Sequence, residues 1–281
     1  MNPAAFVTRF DPSPTGRLHR GHAFSALTAF EAARLAGGRF LLRIEDIDTA
    51  RCRTEFEASV FEDLAWLGLD WPEPVRRQSE HLAEYRAAVE GLRARGLLYR
   101  CFRTRAEILA DIGRAPHGPE PAFTGEPLDA PEEADLLAQG RPFAWRLRFT
   151  EASRQLGGFG HLGFFEEGLG AVAVRPELVG DVVLARKDVG VAYHLAVVID
   201  DALQGVTCVV RGADLFEATH CQRIIQALLD LPTPTYRHHR LILRADGKRF
   251  AKRDTAETLA DLRRRGWTAA DLRADLGFGP V

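Results

Sequence analysis

The chain has 281 residues, 46% hydrophobic and 27% charged, enough apolar material for a sizeable core in one large domain or two small ones. A net charge of −2 excludes a protein that coats nucleic acid through overall basicity, while still allowing a local basic face. No run of about 18 uncharged apolar residues occurs, and the N-terminus lacks a basic stretch followed by a long apolar one, so neither a membrane span nor a secretory signal is expected. Cys52, Cys101, Cys208 and Cys221 are widely spaced and form no CxxC pair, which argues against a disulfide framework and for a reducing cytoplasm.

Strand-like and helix-like segments alternate along the chain, which predicts an α/β fold with a parallel sheet. Residues 5–10 read as a first strand, followed by a Pro/Gly-rich loop and a helix over about 21–35 that ends at Gly37-Gly38. Residues 39–45 read as a second strand, and helical patterns follow at about 54–68 and 79–95. Residues 113–131 hold five prolines and three glycines, which marks a loop or an insertion. Charged, glycine-rich sequence continues to about 190. The rhythm then resumes with a helix at 192–203, a strand at 206–210, a helix at 215–229 and a strand at 236–243, and two short helices close the chain from 255. The expected architecture is a split nucleotide-binding fold. Residues 1–100 form its first half, 101–190 the insertion, 191–245 the second half, and 246–281 a cationic loop with C-terminal helices.

Three groups of residues carry chemistry. Residues 12–22, PSPTGRLHRGH, follow the first predicted strand and open the first helix. Such a turn at a helix N-terminus is a phosphate site, because unpaired N–H groups and the helix dipole favour an anion. His19 and His22 flank Gly21; both imidazoles can donate to phosphate oxygens, and the missing side chain leaves room for a flat base. The second group is DGKRFAKRD, residues 246–254. Arginine outnumbers lysine 34 to 3, yet two of the three lysines, Lys248 and Lys252, fall here beside Arg249 and Arg253, the third being Lys187. Mobile cations of this kind neutralise charge on a triphosphate leaving group. The third group is Arg9, Ser13, Glu45, Tyr193 and Arg211, at or near predicted strand ends, where open parallel sheets bind ligands. Two arginines and a glutamate suit a small zwitterion with an extra carboxylate, the arginines gripping carboxylates and Glu45 the ammonium.

TRFDPSPTGRLHRGH, LLRIEDID, AYHLAVVIDDALQGVTCVVRGADL and GKRFAKRD resemble, in order, the landmark segments of glutamyl-tRNA synthetases, from residue 8 to residue 253. HRGH stands in the place of the HIGH motif and RFAKR in that of KMSKS. The resemblance implies a class I synthetase core, with a Rossmann-like parallel sheet split by an α+β insertion and a short helical C-terminal tail. It implies activation of glutamate by ATP, with magnesium, as glutamyl-adenylate. Arg9, Ser13, Glu45, Tyr193 and Arg211 then correspond to the glutamate site. His19, Gly21, His22, Asp214 and Lys252 correspond to the ATP site, with His19, His22 and Lys252 acting in catalysis.

The chain departs from that pattern in places. Asp11 stands where glutamyl enzymes usually have a small residue, Arg249 and Ala251 alter the KMSKS-like loop, and Val197 replaces a common asparagine. Only 29 residues follow Lys252, whereas a helical anticodon-reading domain needs on the order of 100. The expectation is therefore a core similar to the glutamyl-queuosine tRNA(Asp) synthetases, a family that transfers glutamate to queuosine in the anticodon arm of tRNA(Asp). Members often bind zinc through a CxC pair with a later Cys and Tyr; here Cys101 is followed by Arg103, so zinc is not expected. Arg100, Arg103, Arg105, Arg146, Arg148 and RHHR at 237–240 are candidates for tRNA phosphate contacts. The partners expected are glutamate, ATP and tRNA(Asp), and the protein is expected to be monomeric. Three alternatives share motifs with it: a glutamyl-tRNA synthetase core charging a tRNA 3′ end, a small-molecule nucleotidyltransferase with an HxGH motif, against which the segment DDALQGVTCVVRGADL argues, and a non-catalytic paralogue acting as a binding module.

Overall fold

The computed structural model describes residues 5–111, 122–186, 190–242 and 257–279. In chain order its elements are β1 (Val7–Phe10), α1 (Arg20–Leu35), β2 (Arg39–Ile44), α2 (Thr54–Trp66), β3 (Arg76–Arg77), α3 (Leu82–Ala94), β4 (Leu98–Cys101), α4 (Arg105–Asp111), α5 (Ala130–Ala138), β5 (Ala144–Leu147), α6 (Phe149–Gln155), β6 (Gly163–Glu166), β7 (Gly170–Ala173), β8 (Val183–Arg186), α7 (Tyr193–Leu203), β9 (Cys208–Gly212), α8 (Ala218–Leu228), β10 (Thr235–His239), α9 (Leu259–Arg264) and α10 (Ala269–Leu276).

The α/β fold is as expected. β1 and β2 pair in parallel, Val7 opposite Arg39 and Phe10 opposite Leu42, and β3 continues from β2. β9 and β10 also run parallel. β9 lies beside β1, where Thr207 N donates to Val7 O at 3.0 Å and Val7 N to Thr207 Oγ1 at 2.8 Å. All of β1, and all of β2 after Arg39, is buried, which is why these strands read as continuous runs rather than as alternation. The last strand is expected at 236–243 but ends at His239. Its partner β9 ends opposite, at Gly212, and residue 243 lies outside the described residues.

The middle of the chain divides between two sheets. β4, β5 and β8 form an antiparallel sheet of their own. The hairpin β6–β7, inside the expected insertion, instead joins the parallel sheet, with Glu166 opposite Tyr236 of β10. Asp181 ties the antiparallel sheet together, accepting from Tyr99 Oη at 2.9 Å, Gly125 N at 2.8 Å and Phe149 N at 2.9 Å. Nearby, Phe102 packs on Phe143 at 5.6 Å between ring centroids, and Phe123 packs against Tyr99, Cys101 and Ile108.

The two C-terminal helices begin at threonine caps, Thr258 with Asp261 and Thr268 with Asp271, each closing a reciprocal capping box. Leu259, Leu262, Leu272 and Leu276 join the core formed by α1, β2 and α2. A second core joins α3, α7 and α8 to the insertion. Among the described residues no helix is long and apolar enough to cross a membrane.

Candidate active site

α1 is capped by a histidine. His19 is extended (φ −130°, ψ 177°), its Nδ1 accepts from Gly21 N at 3.1 Å, and its own N–H donates to His22 Nδ1 at 3.2 Å. The two rings stack with centroids 3.8 Å apart. Because both Nδ1 atoms accept, a neutral ring in this geometry carries its proton on Nε2, beside a helix N-terminus. A side chain at Gly21 would crowd the imidazole, since a Cβ would stand 3.0 Å from His19 Cε1. Across from this cap, His19 pairs with Thr258, and Leu259 N donates to Leu18 O at 2.9 Å. The C-terminal helices thus start against the histidine motif. Lys252, with Lys248, Arg249, Ala251 and Arg253, lies outside the described residues, as does Lys187.

Of the third group, Arg9, Glu45, Tyr193 and Arg211 come near one another at the carboxyl ends of β1, β2 and β9. Glu45 follows β2, and its N–H donates to Pro12 O at 3.1 Å, which seats it under the PSPTG loop. Ser13 is exposed in that loop, its carbonyl accepting from Thr15 N at 2.8 Å. Tyr193 opens α7, and the charges of Arg211, Glu45, Asp11 and Arg9 all act on its hydroxyl; burial pushes the phenol up to about 12. Asp214 is exposed in the turn after β9, where a Cβ on Gly212 would stand 2.5 Å from its Oδ1.

The two arginines differ in what surrounds them. Arg9 is 1% exposed, with Nε 3.0 Å from Asp201 Oδ1, Nη1 3.1 Å from Asp11 Oδ1 and Nη2 3.1 Å from Asp11 Oδ2. Burial opposes its charge, yet Asp11 and Asp201 hold its pKa above the ordinary value. Arg211 is 4% exposed, but its partners are neutral: Gln222 Oε1 and Thr219 Oγ1 at 2.8 Å, and His238 Nε2 at 3.0 Å. His238 is held for this by Glu166, which takes its Nδ1 at 2.7 Å. Burial first, and Arg211 second, lower the His238 pKa, so the ring stays neutral and Nε2 remains an acceptor.

Some of the supporting residues carried a visible signal in the sequence and some did not. Arg43 interrupts the apolar strand β2 and is wholly buried, reaching Asp11 at 3.0 Å, Glu45 at 3.3 Å and Asp201 at 2.8 Å. Asp200 and Asp201 interrupt the apolar helix α7 in the same way. Asp200 accepts from Arg76 Nε, Gln78 Nε2 and Tyr85 Oη, all at 2.8 Å. Nothing local singles out Thr219 or Gln222, and His238 reads in the sequence as a phosphate contact rather than as a partner of Arg211.

Two of the proposed phosphate contacts are inside the protein. Arg146 is 3% exposed and donates to Asp181 O at 2.6 Å. The His238 side chain is also 3% exposed. Arg100 is half-buried, its guanidinium 4.6 Å from the Trp145 ring and paired with Glu133. Arg103, Arg105, Arg148 and Arg240 are exposed.

A parallel sheet split by an insertion, with a histidine-capped helix after its first strand, defines a class I tRNA synthetase catalytic core. The family "tRNA synthetases class I (E and Q), catalytic domain" matches residues 5–274. A Rhodobacter capsulatus protein named glutamyl-Q tRNA(Asp) synthetase is 48% identical, over 97% of this chain and 100% of its own length. One of the same name from Nocardia farcinica is 45% identical, over 97% of this chain and 85% of its own. A glutamate tRNA ligase from Elizabethkingia meningosepticum, solved in complex with its amino acid, superposes with a TM-score of 0.74 at 27% identity. That match covers 94% of this chain but 59% of the ligase. The chain belongs to the class I tRNA synthetases, and within them to the glutamyl-Q tRNA(Asp) synthetase family.

Proposed function

We propose that the protein activates glutamate with ATP and transfers it to queuosine at the wobble position of tRNA(Asp). The observation that carries the first half is Arg211. A buried guanidinium with only neutral partners among the described residues attracts a ligand carboxylate, and the acidic pair Asp11 and Glu45 is near enough that its charges, like that of Arg211, act on Tyr193. Arg211 favours an anion and the Asp11–Glu45 pair a cation, which is the charge pattern of an acidic amino acid. The second half is supported by the names and lengths of the relatives.

In this reading His19, Gly21, His22, Asp214 and Lys252 hold ATP, which supplies the α-phosphorus that a glutamate carboxylate oxygen attacks, with pyrophosphate leaving. The chain's own work is alignment and charge stabilisation. The Nε2–H groups of His19 and His22 donate to phosphate oxygens, Lys252 neutralises the leaving group, and Arg211 and Glu45 fix the amino acid. Magnesium accompanies the nucleotide. Residues 101–190, with Arg103, Arg105 and Arg148 exposed, approach the anticodon arm, whose splayed bases are the part of an RNA most open to reading.

The test has two stages. ATP–pyrophosphate exchange should depend on glutamate and not on glutamine, because a buried arginine left without its carboxylate penalises the neutral analogue. Equal exchange with both would sink the amino-acid assignment. Labelled glutamate should then enter tRNA(Asp) from cells that make queuosine and not from cells that lack it. Equal incorporation into both would turn the reading to charging of a 3′ end.

A further inference from the structure

We propose that Glu166 and His238 act together as a positioning pair for Arg211. They fix the guanidinium in place while leaving its charge uncancelled for a substrate carboxylate. The inference rests on the reading of Arg211 as the group that receives that carboxylate.

Three observations support it. The first is how completely Arg211 is oriented. Its Nε donates to His238 Nε2 at 3.0 Å, and its Nη1 and Nη2 donate to Gln222 Oε1 and Thr219 Oγ1, both at 2.8 Å. A guanidinium carries five N–H groups. These bonds use one on each nitrogen, so each terminal nitrogen keeps another. Such a pair is the fork that matches a carboxylate.

The second is the imidazole set between two opposite charges. Glu166 is 3% exposed, and His238 takes both of its oxygens, Oε1 through the backbone N–H at 2.8 Å and Oε2 through Nδ1 at 2.7 Å. Among the described residues no ion pair joins Glu166 to Arg211. A carboxylate placed directly on Arg211 would cancel the charge that a ligand has to meet. Acting through the ring, Glu166 fixes the tautomer instead: Nδ1–H donates to Glu166 and Nε2 presents a lone pair. Two donors converge on that lone pair, Arg211 Nε at 3.0 Å and the Thr219 hydroxyl at 3.4 Å.

The third is that the pair is held from several sides. Glu166 ends β6 opposite Tyr236 of β10, the strand that carries His238. At the start of β6, Gly163 O accepts from Arg223 Nε of α8 at 2.9 Å, and just past its end Glu167 N donates to Tyr236 O at 2.8 Å. The His238 ring stands edge-on to Phe216 with centroids 5.2 Å apart, and parallel to the Tyr236 ring at 6.0 Å. Packing of this kind locks a side chain whose task is to aim another. The inserted hairpin β6–β7 thus reaches the amino-acid site through one carboxylate.

The experiment measures ATP–pyrophosphate exchange over a range of glutamate, glutamine and ATP concentrations. It compares the full chain with its Glu166→Gln, His238→Phe, His238→Gln and Glu167→Gln variants, each first shown to melt cooperatively. Glu166→Gln keeps the size of the side chain, but its amide must turn N–H groups towards either the backbone N–H or Nδ1 of His238. One hold on the ring is lost either way, and in the second case the ring's proton moves to Nε2 and opposes Arg211. KM for glutamate should rise about tenfold or more, KM for ATP should not change, and the preference for glutamate over glutamine should shrink. His238→Phe should behave in the same way. His238→Gln, whose carbonyl can accept from Arg211, should recover part of the loss. Glu167→Gln makes the same charge change at the next residue, an exposed carboxylate paired with Arg237, and should leave both KM values as they are. Unchanged KM for glutamate in Glu166→Gln and His238→Phe would overturn the proposal. So would an equal rise in both KM values or a fall in kcat alone, which mark a purely structural role, or the same effect from Glu167→Gln, which marks a diffuse effect of charge. If the wild-type protein shows no glutamate-dependent exchange, the reading of Arg211 is what fails, and this inference fails with it.

Discussion

Replacing Asp181 by alanine should loosen the insertion without touching the catalytic sheet. The Asp181 side chain is 2% exposed and accepts three hydrogen bonds, from the Tyr99 hydroxyl and from the backbone N–H groups of Gly125 and Phe149, at 2.8–2.9 Å. Alanine removes every acceptor and leaves three donors orphaned in a site that excludes water. Each orphaned donor costs about 1–3 kcal/mol. Partial relaxation brings the sum to about 3–4 kcal/mol, near the upper end of single substitutions. For a chain of this size that is a fall in Tm of about 5–7 °C. Thermal unfolding followed by circular dichroism measures the total. Hydrogen exchange localises it: the amides of Gly125 and Phe149 should lose protection while those of α1 keep theirs. Asp181→Asn should recover less than half, because its amide retains one acceptor oxygen and turns N–H groups towards donors. A fall in Tm below about 2 °C, with protection at Gly125 and Phe149 intact, would show that Asp181 is not the tie described here.

Further outcomes follow from other parts of the chain. Lys252→Ala should slow pyrophosphate exchange about a hundredfold or more, the usual cost of losing one electrostatic stabiliser; a near-normal rate would make Lys252 a surface cation. The purified protein should carry no stoichiometric zinc, because Cys101 Sγ lies 3.9 Å from the Arg103 carbonyl and the Arg103 guanidinium lies 5.8 Å from the Phe123 ring, where a second thiolate would be needed. Elemental analysis finding one zinc per chain after gel filtration would refute this. Asp63 is fully buried against Arg263, and burial raises its pKa from 3.8 to about 6. A raised carboxyl pKa means that the native state holds the proton more tightly, so this stabilisation is complete below about pH 4 and is lost as pH rises through about 6. The stability advantage of wild type over Asp63→Asn, from urea melts, should therefore grow by up to about 3 kcal/mol between pH 7 and pH 4. A gap that stays constant or narrows towards acid would contradict the assignment.

The elements nearest the site were legible in the sequence because their signals are local. The run VTRF, the PSPTG turn and HRGH at a helix start are contiguous, and the helices at 20–35, 54–66, 193–203 and 218–228 fall within a few residues of where apolar periodicity puts them. Capping boxes at Thr258 and Thr268 likewise announce the two last helices. Even the interior position of Arg43, Asp200 and Asp201 is hinted at by charges in apolar runs.

What each charge does there was decided only by tertiary structure. Arg9 and Asp201 are 192 residues apart, and Arg43 and Asp201 are 158 apart. No spacing rule predicts such pairs, so Arg9 and Arg211, which read as equivalent carboxylate receptors, differ in the fold. One is saturated by acids and the other is held by neutral groups. The hairpin β6–β7 joined the parallel sheet for the same kind of reason, since strand pairing across 70 residues depends on which edge lies exposed after folding. Arg146 reads as a surface cation and lies buried because the Asp181 carbonyl is there to receive it. Local pattern determined which residues form strands, helices and the histidine-capped turn. Long-range packing determined which charges cancel and which remain to meet a ligand, because a charge in a low-dielectric interior takes its role from its neighbours in space.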